Sequence, residues 1–336
     1  MKIGKVSEPI LKRSVLKYLQ PNNDVDCKGA SVGADCAFFS NIEAVCDERI
    51  EKKGALCVAT ASVSGEKVKG AAHAILRASN NLAAGGAISF AVQLHIMLPE
   101  RYREIALKRI MEAAEATAEE LKITISGGHT ETLPEISTPV ISVTALGYKN
   151  CDDVDLSENC NKKNDCVLPG QEIVMTKWIG ISETAYLARE KEEELLARYP
   201  LFFIKSAQNL EQYYSIIPEA ATAVKSGVTA MHDVAGGGIF GALWELGERF
   251  GVGLQVDIKK IPIKQETVEV CEFFGYNPYE IRSDGVLLMV TSESNALIEK
   301  LAQEGISASV IGMITDGKDK VVLNDDEKRF LEPPRK

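Results

Sequence analysis

Hydrophobic positions repeat with two different periods along this chain, and the change of period marks out its elements. Ile88, Phe90, Val92, Leu94, Ile96 and Leu98 alternate with Ser89, Ala91, Gln93, His95 and Met97, which predicts a long, half-buried strand over 87–98. Before it, Val68, Ala72, Ile75, Ser79 and Leu82 keep a 3.6-residue period from Glu66 until Gly85 and Gly86 stop it, which predicts a helix. After it, Leu107, Ile110, Met111, Ala114, Ala118 and Leu121 form one stripe of a helix over 103–121. A strand over 122–126 then runs into Gly127-Gly128-His129-Thr130-Glu131, read as a loop, and a strand over 140–148 closes this half. Shorter strands are expected over 36–39, 44–47 and 55–61. Ser7, Glu8 and Pro9 predict the start of a first helix that leads through Leu11, Val15 and Leu19.

The periodicity lapses over 151–170, a polar and charged stretch, so a junction is placed there between a domain of residues 1–150 and a second of 171–336. The second half restarts with a strand over 172–177 and helices over 182–199 and 202–214. Val228 to Asp233 is a short apolar strand that ends in His232 and Asp233. Three glycines follow, then a helix whose Ile239, Phe240, Leu243, Leu246 and Phe250 recur at helical spacing. Further strands are expected over 254–258, 286–290 and 308–315, with helices over 266–274 and 295–304. Each half is therefore a mixed α/β domain with more strands than a βαβ count supplies.

Length and composition agree with two cores: 336 residues, 45% hydrophobic and 26% charged. The formal charge of −10 argues against a protein that grips nucleic acid, because backbone binding needs clustered Lys and Arg. The first residues carry no apolar core of signal-peptide length and the longest apolar strand is interrupted by Gln93 and His95, so a cytoplasmic protein without a membrane segment is expected. Eight cysteines are scattered without a C-x-x-C pair, most of them read as small buried hydrophobes. Cys151, Cys160 and Cys166 fall in the polar junction at a spacing that matches no common zinc pattern.

Gly236, Gly237 and Gly238 lie where a strand turns into a helix. Such a turn offers backbone N–H groups and the positive end of a helix dipole to an anion, and is equally the form of a plain glycine-rich connection. Elsewhere Asp35 lies two residues after Gly33 in a turn, where it is a metal ligand or an Asx-turn former. His129 contacts phosphate, moves a proton, or satisfies loop carbonyls. His232 and Asp233, adjacent on a strand, are expected to face opposite ways. Asp284 is a general acid or base, or the polar corner of a turn. Lys5 reaches a phosphate or is solvated.

Several separated segments together resemble one superfamily: Gly4-Lys5, Gly33-Ala34-Asp35-Cys36-Ala37 (G-x-D-x-A), Ser126-Gly-Gly-His-Thr-Glu131 (G-G-x-T-E), and His232-Asp-Val-Ala-Gly-Gly-Gly-Ile239. It is that of aminoimidazole ribonucleotide synthetase (PurM) and the hydrogenase maturation protein HypE, with thiamine-monophosphate kinase and selenophosphate synthetase. The resemblance spans nearly the whole chain and is greatest to the HypE-like branch. It implies a two-domain PurM-like fold, a homodimer whose N-terminal domains pair through strands, and a possible protein partner in a maturation assembly. It also implies ATP and Mg²⁺, with transfer of the γ-phosphoryl group to an amide oxygen to drive dehydration or ring closure. Carried onto this sequence, Asp35 is the metal ligand, and Lys5, Asn81, Gly86, His129, Thr130, Glu131 and Gly236–Gly238 line the nucleotide. His232, Asp233 and Asp284, the last in a Ser283-Asp284-Gly285 turn like the family's N-E-G, serve catalysis.

The sequence departs from that pattern at two acidic positions. The D-x4-G-A-x-P segment appears as Asn81-Leu-Ala-Ala-Gly-Gly86-Ala87-Ile-Ser89, and the S-T-D segment as Ala59-Thr60-Ala61. Neutral asparagine is a weak magnesium ligand and alanine is none. Members that make a thiocyanate end in a cysteine, whereas this sequence ends Glu332-Pro333-Pro334-Arg335-Lys336, so no terminal thiol is expected to carry a product. Two functions stay open: ATP-dependent activation of an amide-type oxygen, or a non-catalytic paralogue with an altered Mg-ATP site that acts as a binding or assembly partner.

Overall fold

The computed structural model describes residues 12, 27–28, 34–39, 54–150 and 167–333. The expected first helix, Lys5, the strand over 44–47, and Cys151, Cys160 and Cys166 lie outside them. The chain divides into two compact units, one gathering residues 35–150 with the short strand at 27–28, the other residues 167–333.

The first unit is a six-stranded sheet in the order β1-β2-β3-β6-β4-β5. Its strands are β1 (Cys27–Lys28), β2 (Ala37–Phe39), β3 (Gly54–Ser64), β4 (Ile88–Pro99), β5 (Thr124–Leu133) and β6 (Val140–Asn150). Helices α1 (Gly70–Ala84) and α2 (Glu104–Leu121) supply the other half of the core. Ala71, Ala74, Ile75, Ala78 and Leu82 of α1 and Ile110, Ala114 and Ala118 of α2 pack with Val92, Leu94, Ile96 and Leu98 of β4 and Ile141, Val143 and Ala145 of β6. Alanines along α1 keep it close to the sheet, since each removes the bulk a longer side chain would interpose. On the opposite face Thr60 meets Thr144 at 3.2 Å and Ser62 meets Ser142 at 3.1 Å, polar cross-strand pairs that suit water.

Two expectations are corrected here. The helix begins at Gly70 rather than Glu66, because Gly65 turns the chain at positive φ and Glu66 folds under to a buried hydrogen bond with His73. The alternation of β4 also fails at its start: Ile88 and Phe90 are exposed, at 59% and 41%. Its register against β6 skips between Ser89 and Ala91, so Phe90 sits in a bulge and the faces exchange before Val92.

The second unit is a seven-stranded sheet in the order β13-β12-β9-β11-β7-β10-β8. Its strands are β7 (Glu172–Thr176), β8 (Ala230–Val234), β9 (Gly253–Asp257), β10 (Val286–Thr291), β11 (Ala308–Thr315), β12 (Lys320–Asn324) and β13 (Glu327–Phe330). All six residues of β10 are buried, as a central strand covered on both faces requires. Helix α7 (Gly238–Phe250) packs Ile239, Leu243 and Leu246 against Leu254, Val286 and Leu288. The first helix expected after β7 is broken into α3 (Ile181–Glu190) and α4 (Glu192–Leu195), because Lys191 leaves helical geometry at φ −119°. The second becomes α5 (Leu201–Gln208) and a 3₁₀ turn over Asn209–Tyr213. Helix α6 (Ile217–Lys225), β12 and β13 were not foreseen. Helices α8 (Gln265–Phe274) and α9 (Ser294–Gln303) stand as expected. An inner ion pair, Lys177 with Glu219, ties β7 to α6, and the Lys177 amine also donates to the Tyr213 carbonyl at 3.1 Å and the Ser215 carbonyl at 2.6 Å. Burial pulls this amine below its ordinary value, with Glu219 opposing the shift.

Candidate functional site

In the first unit the strand β4, the crossover helix α2 and the strand β5 form a parallel pair, and this pairing carries the Gly-Gly-His-Thr-Glu segment. The segment is not a loop. It continues β5 as an edge strand, with Gly128 opposite Leu94, His129 opposite His95 and Glu131 opposite Met97. Glycine makes this possible: Gly127 and Gly128 lie at φ +141° and +151°, and a Cβ on Gly128 would overlap the Leu94 backbone. Past them His129, Thr130 and Glu131 stand along the strand, His129 and Thr130 exposed and Glu131 half-buried. Glu131 Oε1 lies 3.0 Å from His95 Nε2, and Glu131 Oε2 lies 3.9 Å from His129 Nε2. His95 was read as one polar position of an alternating strand, and no local pattern in β4 gives it a role.

The end of α1 carries Asn81 and the two glycines that stop it. Gly85 donates to the Asn81 carbonyl at 3.1 Å, and Gly86 turns the chain at φ +76°. The Cys36 thiol occupies the place of a Cβ on Gly85, so the residue after Asp35 packs against the same turn that holds Asn81. Lys149 donates to the Gly85 carbonyl at 3.1 Å. Burial pushes the neighbouring core thiol of Cys57 up to about 12. Ala61 sits mid-strand opposite Val143. Of the three family positions only Asp35 therefore brings a carboxylate oxygen. Asn81 and Ala61 thus offer no carboxylate to a magnesium ion, which is held by one or two carboxylates together with phosphates and waters.

In the second unit His232 is buried at 2% exposure on the edge strand β8, with Nε2 3.3 Å from Glu245 Oε2 of α7. This ties strand to helix. A ring nitrogen of His232 and a carboxylate oxygen of the half-buried Asp233 nevertheless come within 4.8 Å, closer than opposite-facing neighbours were expected to be. The glycine turn after them is partly occupied by protein. Gly238 donates to the Ala235 carbonyl and Phe240 to the Tyr279 carbonyl, each at 3.2 Å, and a Cβ on Gly238 would stand 2.5 Å from the Tyr279 oxygen. Gly238 serves close packing of the 277–282 segment, while Gly236 faces open space. A cleft of about 190 Å³ beside the turn is lined by Gly237, Phe240 and Gly241, together with Arg329, Glu280 and Glu332.

Asp284 is 5% exposed in the turn before β10. Its N–H donates to Ser182 Oγ at 2.9 Å, and Arg282 Nε lies 3.7 Å from its carboxylate and 3.2 Å from that of Glu183. Burial first, and the Asp284 charge after it, push the nearby Tyr214 phenol up. Ser283 Oγ accepts the Gly180 N–H at 2.8 Å, and a Cβ on Gly285 would overlap the Tyr213 backbone, so the turn is fixed on every side.

Two mixed α/β units, each a sheet with helices against it and the second with a glycine-rich turn between β8 and α7, define a two-domain α/β architecture. The chain belongs to the AIR synthase related family: its N-terminal domain model matches residues 33–148 and its C-terminal domain model residues 169–324. It is 25% identical over 248 residues to a putative hydrogenase expression/formation protein of Methanocaldococcus jannaschii, covering 73% of this chain and 70% of that one. It is 22% identical over 218 residues to the carbamoyl dehydratase HypE of Rhizobium leguminosarum bv. viciae, covering 65% of this chain and 59% of that one. Among solved structures, HypE in a HypE–HypF complex superposes with a TM-score of 0.73 at 17% identity over 97% of this chain and 99% of that one. HypE in complex with ATP gives 0.68 at 19% over 82% and 84%. The fold is thus the PurM-like two-domain fold. No helix among the described residues is long and apolar enough to cross a membrane.

Proposed function

We propose that this chain is a HypE-related, nucleotide-binding protein of a maturation or biosynthetic assembly, and that it holds its nucleotide without the metal-assisted phosphoryl transfer of the family's dehydratases. The observation that carries this is the pair Ala61 and Asn81. One is a methyl group on β3 opposite Val143, the other an amide on the last turn of α1 where the family carries carboxylates. Removing two carboxylates lowers metal affinity sharply but relieves repulsion between like charges, so the fold persists while the chemistry weakens. Asn81, Gly86, His129, Thr130 and Glu131 are the nucleotide-binding candidates of the N-terminal domain, and Gly236 and Gly237 those of the C-terminal domain. The chain works as a homodimer, in the manner the family resemblance implies, and beside a protein partner, as HypE is seen with HypF.

A second reading, ATP-dependent activation of an amide-type oxygen, is favoured by Asp35 beside the Gly85-Gly86 turn and by the carbamoyl dehydratase relatives. In it Asp35 remains the metal ligand, and His232, Asp233 or Asp284 handles the acceptor's proton. Calorimetric titration with ATP, with and without magnesium, separates the two. Binding that is indifferent to magnesium, without ADP release, supports the first reading. Magnesium-dependent binding at micromolar affinity with turnover overturns it. The double variant Ala61→Asp, Asn81→Asp is expected to acquire magnesium dependence, and its failure to do so refutes the account of the loss.

A further inference from the structure

The outward face of the N-terminal sheet brings His95, which no motif contains, beside His129 and Glu131, two of the nucleotide-binding candidates. His95 projects from β4 in the alternate set to Val92, Leu94, Ile96 and Leu98, all of which are buried against the helices, and so stands on the side away from them. Parallel pairing sets His129 directly opposite it, with Glu131 two residues further along the same edge strand and therefore on the same face. The two imidazole rings are 5.5 Å apart between centroids and tilted by 59°. One ligand atom from each of the three residues lies within 4.8 Å of the others. Among the described residues, the side-chain polar contacts of these three are with one another.

We propose that His95, His129 and Glu131 bind a first-row transition-metal dication of the zinc, nickel or cobalt type. The donor set decides the class. Two imidazole nitrogens with one carboxylate suit zinc, nickel and cobalt, whereas magnesium and calcium take oxygen ligands. The spacing decides the fit. With bonds of about 2.0–2.2 Å, donors around one ion stand about 3.0 Å apart at right angles and about 3.4 Å apart in a tetrahedron. The His95–Glu131 pair already meets this at 3.0 Å. The His129–Glu131 pair, at 3.9 Å, must close by less than 1 Å, and the His129 side chain, two-thirds exposed, is free to make that rotation. The rigid part of the site is its backbone, since the Gly127-Gly128 step holds β5 against β4 at a distance that fixes His129 opposite His95.

Three protein ligands leave at least one coordination position for water or an external donor, which is the form of an open rather than a closed structural site. The site is on the edge strand and faces outward, so that donor can come from a small anion or from a protein. The proposal shares His129 and Glu131 with the nucleotide reading, and His95, which belongs to none of the nucleotide-binding candidates, is the ligand that tells the two apart.

The test is calorimetric titration of metal-stripped, untagged full-length protein with zinc chloride, nickel chloride and magnesium chloride. Cobalt chloride titration followed by visible absorption runs alongside. One zinc or nickel per chain is expected, with no saturable magnesium heat and a cobalt spectrum of nitrogen and oxygen ligation. His95→Asn and Glu131→Gln should each weaken binding at least tenfold while the melting temperature stays that of the native chain. His95→Asn should leave the ATP titration unchanged, which keeps this result separate from that of the nucleotide reading. Absence of saturable zinc, nickel or cobalt binding at 100-micromolar metal overturns the proposal. So does native-like affinity in both variants, which would place the ion on other residues.

Discussion

Gly236 and Gly238 sit two residues apart in the same turn, yet they should respond to alanine in opposite ways. At Gly238 the backbone has φ +63°, and an added Cβ would stand 2.5 Å from the Tyr279 carbonyl oxygen, 2.7 Å from that of Ile281 and 2.8 Å from the Glu280 carbonyl carbon. A left-handed residue that carries a Cβ costs about 1–2 kcal/mol. The contacts add an overpacking term of about 1–3 kcal/mol, because the atoms met are backbone and cannot rotate away. Gly238→Ala is therefore expected to destabilise the C-terminal unit by about 3 kcal/mol, a fall in melting temperature of roughly 6–12 °C for a unit of this size. At Gly236 no atom lies within 4 Å of the added Cβ and φ is not positive. Alanine there removes only unfolded-state freedom, so Gly236→Ala should match the native chain or exceed it by about 0.4–1 kcal/mol. Thermal and urea unfolding of the two variants side by side reads this directly. If Gly238→Ala unfolds with the native chain, the turn does not pack as described, and equal destabilisation by both variants would mean that the whole turn is a rigid unit. Since Gly236→Ala keeps the fold, weaker ATP binding by it marks the glycine that a phosphate approaches.

Two further outcomes follow from buried groups. Cys57 and Cys271 are each pushed up to about 12 by burial, from an ordinary 9.0. The unfolded thiols ionise above pH 9 and the folded ones do not, so the unfolded chain binds fewer protons there and stability must fall as pH rises from 9 toward 12. At pH 8 alkylation of both should be slow in native protein and fast in urea, and fast native labelling at either position would refute their burial. Removing one partner of the Lys177–Glu219 pair leaves the other charge buried, so Lys177→Met or Glu219→Gln is expected to cost about 3–5 kcal/mol in urea unfolding. The double variant should cost less than the two added together, and simple additivity would show that the pair is not coupled.

The sequence shows most clearly those features that local periodicity controls. The core stripe of α2, the alternation of β4 from Val92 onward and the apolar run Val286–Val290 of β10 each follow from side chains that one element alone orients. What escapes it is set by contacts between distant segments. Strand β13 has no apolar period because all four of its residues are exposed, and it exists only by pairing with β12. Gly127 and Gly128 look like the start of a loop. Their reason is Leu94 on another strand, whose backbone leaves no room for a side chain. The same glycines that suggested an end to β5 are what let it continue.

The candidate site divides along the same line. Asp35, Asn81, His129 and the glycine turn were found because a motif lies in consecutive residues. His95, Glu245 and Arg282 were not, since their partners Glu131, His232 and Asp284 become neighbours only through sheet register or a strand-to-helix contact. For His95 a signal did exist. A strand, a helix and a second strand in succession predict a parallel pair, and a histidine in the middle of each strand then becomes a candidate for juxtaposition. Register, which no single sequence prints, turns that candidate into a pair. A motif marks candidates in consecutive residues, while the pairing of strands decides which further donors can reach the same face. In this chain the two differ: carboxylates are missing at Ala61 and Asn81, and register sets His95, which no motif contains, beside His129 and Glu131 of the Gly-Gly-His-Thr-Glu segment.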